Sequence, residues 1–147
     1  MSRFFSNRWL QLITRVILGG LFLYAGYLKL CAPLAFADSI ASFRLLPGGL
    51  INLFALGLPP LELMIGGMLL IGWRVRLASF VVMLLTVIFA LALGQALLRG
   101  LIIDCGCFGS GKPSFAKMLL SLGRDILILC ASVWLYAANQ RDQSEEN

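Results

Sequence analysis

The chain has 147 residues, of which 60% are hydrophobic and only 13% charged, with a mean hydropathy of +0.91. Soluble domains carry roughly 25% charged residues, so this composition excludes a water-soluble domain and points to a membrane protein. The net charge of +5 does not argue for nucleic acid, because the basic residues are scattered among loops and helix ends and form no stripe.

A bilayer core about 30 Å thick needs about 20 apolar residues per helix. Four runs meet that length: 9–30, 49–72, 77–98 and 118–138. They predict an all-α bundle of four transmembrane helices forming a single domain over 1–138, followed by a polar tail, 139–147, expected to fray. Arg3 and Arg8 precede the first run as they would a signal peptide. The run exceeds the roughly 7–15 residues of such a segment and no small-residue cleavage site follows it, so it is expected to be retained.

The first run carries Arg15 near its start and Lys29 at its end, with Cys31 just beyond. The second contains "LPPLEL", in which Pro59 and Pro60 free backbone carbonyls and are expected to kink the helix. The opened space would admit a lipid-soluble quinone. Glu62 follows directly, and a carboxylate at that depth needs a partner in the bundle interior. Arg15, about 9 Å in from the terminus-bearing face, is the expected partner of Glu62, about 15 Å in from the same face. The pair would fix helix register or handle protons during a redox cycle. Gly19, Gly20, Gly26, Gly66 and Gly67 offer small surfaces for close helix packing.

Four spans put both termini and the turn "WRVR" on one side. Arg3, Arg8, Arg74, Arg76 and Arg141 then balance Lys29, Arg44, Arg99, Lys112 and Lys117 on the other, so charge alone does not orient the chain. Trp9, Trp73 and Trp134 fall at the terminus-bearing ends of their helices, as interface anchors do.

The loop between the third and fourth runs reads "DCGCFGSGKP". Cys105 and Cys107, one residue apart, lie near the upper Cα separation of about 6.8 Å for a disulfide, and Gly106 permits the tight turn that closes it. Such a strained bond is easily reduced and suits a transient carrier. Cys31 arrives on the same face and offers a second partner for a loop cysteine. Lys29, Arg99 and Lys112 favour thiolate, while Asp104 opposes it. A static brace and a metal site are the rival chemistries, although the chain has no histidine and zinc pairs usually leave two residues between cysteines. Gly106 to Lys112 spells the G-x-x-x-x-G-K of a phosphate loop, but Pro113 stands where Ser or Thr is required and no strand precedes it. Disulfide chemistry belongs outside the cytoplasm, which places the loop outside and the termini inside. In the fourth run, Arg124 and Asp125 of "GRD" are expected to form a local pair below the loop, or to position that loop and bias its thiol ionisation, and Cys130, about 18 Å down the helix, is expected to pack in the interior.

On "RVILGGLFLYAGYLKL", "LLP" at 45–47, "LPPLEL", "DCGCFG" and "GRDILIL", nearly the whole chain resembles the MauE family of methylamine-utilisation membrane proteins and the broader DoxX-like group. The resemblance implies a four-helix protein of the bacterial inner membrane, associated with disulfide formation or electron transfer alongside a periplasmic thioredoxin-like partner. DoxX-like relatives imply quinone as electron acceptor. The family's cysteine pair corresponds to Cys105 and Cys107, set among Asp104, Gly106, Phe108 and Gly109, and its membrane glutamate to Glu62. Vitamin K epoxide reductases have a similar four-helix plan, but their C-x-x-C is absent here. The expected activity is thiol-disulfide exchange between that partner and the membrane; a non-catalytic assembly subunit and a metal-handling protein are the alternatives.

Overall fold

The computed structural model describes residues 8–102 and 114–145, with side chains as far as residue 140. Five helices follow in order: α1 (Arg8–Cys31), α2 (Pro33–Ser42), α3 (Gly48–Ile71), α4 (Val75–Leu98) and α5 (Phe115–Glu145). Among the described residues there is no strand. α1, α3, α4 and residues Phe115–Gln140 of α5 are long and apolar enough to cross a membrane, so the chain is a multi-pass helical membrane protein.

Two elements depart from the expected plan. α5 does not stop at 138 but continues to Glu145, because "NQRDQSE" contains no glycine or proline and includes good helix formers. α2 was not foreseen: its ten residues are too few to span a bilayer. Pro33 stands in its first turn, where the missing amide hydrogen costs nothing. Only Ala32 separates α2 from α1, so the chain turns back over the end of the first span. Phe36, 3% exposed, is the residue α2 buries.

α1 and α3 approach so closely that side chains are excluded at their crossing. A Cβ added to Gly19 would lie 2.9 Å from the Gly66 carbonyl oxygen, and one added to Gly66 would lie 2.8 Å from that of Gly19. Gly26 faces the Pro59 carbonyl in the same way, whereas Gly20 and Gly67 have nothing within 4 Å. Lipid tails are as apolar as leucine, so such small-residue contacts, more than hydrophobic burial, join helices in a membrane. α3 is one continuous helix through Pro59 and Pro60. It ends at Gly72, whose left-handed φ of 84° turns the chain into α4, and the amides of Gly72 and Trp73 both donate to the Met68 carbonyl.

The interior is layered. One apolar cluster gathers Leu18, Ile65, Leu69, Val82, Leu85 and Leu135; a second gathers Leu93, Ala96 and Met118 nearer the α4–α5 connection. Along α4 the residues between these clusters include Thr86 and Phe89, and along α5 they include Arg124 and Asp125. A polar layer therefore separates two apolar ones. Many large apolar side chains point outward instead, including Leu53, Leu56, Leu91 and Leu127.

Candidate functional site

Lys29, Glu62, Thr86 and Asp125 are all buried in that layer. Lys29 Nζ donates to Glu62 Oε1 at 2.5 Å, and the two side chains are 1% and 3% exposed. The Lys29 ammonium also lies 4.9 Å from the centre of the Phe36 ring and 5.1 Å from that of Phe89. Desolvated contacts of this kind are worth about 2 kcal/mol each. The carboxylate, two aromatic faces and the roof formed by α2 together hold a cation that would be prohibitive alone in hydrocarbon.

The expected partner of Glu62 was Arg15, and the structure corrects this pairing. Side chains on a helix lean toward its N-terminus. With Gly19 level with Gly66 and Gly26 with Pro59 across antiparallel helices, Lys29 and Glu62 lean toward each other, while Arg15 and Glu62 lean apart. Arg15 instead sends Nε to the Leu69 carbonyl at 3.1 Å and rests its guanidinium on Gly72. It caps the C-terminus of α3, where orphan carbonyls favour a cation. The same finding revises Lys29, placed by its sequence position among the groups tuning the thiol loop; its ammonium is committed to Glu62.

On α5, Arg124 Nη2 donates to Asp125 Oδ1 at 2.9 Å, and Asp125 is 5% exposed. On α4, the Thr86 hydroxyl donates to the Val82 carbonyl at 2.7 Å. Lys29, Glu62, Thr86, Arg124 and Asp125 all line one cavity of about 50 Å³, closed in part by Phe22 and Phe89. Next to it, a wholly apolar chamber of about 210 Å³ is lined by α2, the turn after it, α3 and α4 through Phe36, Phe43, Phe54, Leu58, Ile88 and Phe89. The two aromatic rings over Lys29 are thus also walls of this chamber.

Cys31 is exposed and free at the end of α1. Cys130, expected to pack inside, is also exposed and free; in lipid an apolar thiol gains little from facing the bundle, so hydrophobicity does not place it. The loop residues Asp104, Cys105, Gly106, Cys107, Phe108 and Gly109 lie outside the described residues. Phe36, Thr86 and Phe89 belong to the site but were not singled out from the sequence. Thr86 did carry a signal, as one of few polar residues in the most apolar span; the two phenylalanines did not, in a chain with ten.

The family model described as methylamine utilisation protein MauE matches residues 7–138. No curated protein and no solved structure matches the chain.

Proposed function

The chain belongs to the MauE family, and from that premise we propose that it is an inner-membrane thiol-disulfide redox protein acting through Cys105 and Cys107. The termini are cytoplasmic and the cysteine loop is periplasmic in this reading, where a thioredoxin-like protein exchanges thiols with it. Oxidation of the loop dithiol forms one S–S bond and yields two electrons and two protons. A lipid-soluble quinone accepts both and becomes the quinol. The observation that carries the proposal is the buried Lys29–Glu62 pair, since an ion pair kept inside a bilayer bundle, at a cost hydrocarbon does not excuse, marks a site of proton or substrate handling. The apolar chamber against Phe36 and Phe89 supports quinone as the counterpart, because it offers an apolar body a place beside an acid-base pair.

Trapping tests this reading. Membranes are treated with an alkylating mass tag with and without added quinone and a candidate thioredoxin-like protein. Cys105 and Cys107 are expected to change state with both additions, and Cys107→Ser or Cys105→Ser is expected to accumulate a mixed disulfide with the partner. Constant redox state, together with full function of the double Cys→Ala variant, would instead make the chain an assembly subunit.

A further inference from the structure

The two oxygens of Glu62 are treated unequally. Oε1 receives the Lys29 ammonium, while Oε2 is buried without a hydrogen-bond partner among the described residues. A buried acceptor left unsatisfied costs about 1–3 kcal/mol, and more when charged, so some donor should satisfy it. Glu62 lines the cavity of about 50 Å³, whose other polar walls are Lys29, Thr86, Arg124 and Asp125. One water needs about 10–15 Å³ of such volume and two to four polar partners, so the space suits about three to five waters. It is too small for a lipid headgroup, and although most of its exposed wall is apolar, the unsatisfied Glu62 Oε2 gives water a reason to enter. Thr86 spends its hydrogen on Val82, which leaves its oxygen to accept from water.

We propose that this cavity is a hydrated proton-exchange site, in which a small water cluster donates to Glu62 Oε2 and joins the Lys29–Glu62 pair on α1 and α3 to the Arg124–Asp125 pair on α5. A proton arriving on the cluster forms an O–H bond at Glu62 Oε2 and leaves through the same waters to Asp125; only O–H bonds form and break. The charged groups facing the cluster are Lys29 from α1, Glu62 from α3, and Arg124 and Asp125 from α5. α4 contributes the Thr86 hydroxyl, and Asp38 on α2 is exposed. Two cations balance two carboxylates, so the resting site is neutral and one added proton is spread over several groups. The hydration and proton exchange stand on these residues alone; their service to thiol oxidation rests on the function proposed above.

X-ray radiolysis in lipid nanodiscs activates bound water where it sits and labels the side chains beside it. Phe22 and Phe89 are expected to take up label from oxygen-18 water, and to lose it in Ala25→Val, which fills the cavity from α1 while keeping all four charges. Thr86→Val, which removes one water partner without adding bulk, is expected to reduce the label and serves if Ala25→Val folds poorly. For the exchange, the infrared carboxylate stretch of Glu62, assigned by its disappearance in Glu62→Gln, is expected to shift as the N–H and O–H groups donating to it exchange with D₂O, within the mixing time in the wild type and slowly in Ala25→Val. Unlabelled Phe22 and Phe89, or a Glu62 band that exchanges as slowly in the wild type as in the filled variant, would overturn the proposal. Neither readout uses the cysteines, so a dry cavity with cycling thiols would refute this site and leave the redox function standing.

Discussion

The two ends of the α1–α3 interface hold one cation each, and they are used differently. At one end Arg15 lies against Leu69 and Gly72, serving the last carbonyls of α3. At the other, Lys29 is sealed under Phe36 and Phe89 and bound to Glu62. The crossing at Gly19 and Gly66 sets both registers, and the common lean of helical side chains decides which cation meets the carboxylate. A cation at a helix end supports the fold there; a cation brought to a buried carboxylate makes a candidate site.

The largest effect should come from breaking the sealed end by half. Glu62→Ala leaves Lys29 uncompensated and is expected to destabilise the protein by about 3–5 kcal/mol, whereas Lys29→Met combined with Glu62→Leu should return stability to about the wild-type level, since paired buried charges contribute little net. Reversible unfolding in mixed micelles measures both. If the double variant is as unstable as the single one, the pair is a structural clamp and the contrast between the two ends collapses.

Next comes the crossing that serves both ends. Gly66→Val forces a Cβ against the Gly19 carbonyl and the Leu23 backbone, and overpacking of this kind is expected to cost about 1–3 kcal/mol in the same unfolding measurement. It should also disturb the pairing of Lys29 with Glu62, so thiol turnover should fall with stability. At the capping end, Arg15→Gln loses the charge at the α3 C-terminus and is expected to cost about 0.3–1 kcal/mol, with turnover unchanged; a large loss of turnover would place Arg15 in the chemistry. The smallest effect belongs to Cys130→Ser, exposed on α5, which is expected to stay within about 0.5 kcal/mol of the wild type and to retain the full redox cycle.

The four spans were legible because apolar length is dictated by bilayer thickness, and the Gly19, Gly26 and Gly66 contacts followed from the small-residue logic of membrane packing. Depth along the helices misled for Arg15 and Glu62, because the register that sets Gly19 against Gly66 puts Arg15 level with Leu70 rather than near Glu62, and because depth ignores the direction in which a side chain leans. α2 was missed because a ten-residue helix after a proline resembles a loop when only spanning lengths are sought. Its absence from the expected plan left Lys29 at the surface, whereas Phe36 in fact covers it. Cys130 was misplaced by a rule made for water: when the solvent is hydrocarbon, the polar Glu62, Thr86 and Asp125 are buried, while many leucines face outward beside others that pack inside. The candidate site is thus spread over five helices, and its members lie in separate stretches such as "LPPLEL" and "GRD" that nothing in the sequence joins, while the pair at Cys105 and Cys107 is local.

The central claim, that the buried ion pair serves the loop thiols, is tested most directly by the rate at which a short-chain quinone reoxidises reduced Cys105 and Cys107 in vesicles. The Lys29→Met and Glu62→Leu double variant, folded but without the acid-base pair, is expected to reoxidise about a hundredfold more slowly than the wild type. An unchanged rate in the folded double variant would contradict the claim and leave the ion pair a structural element of the bundle.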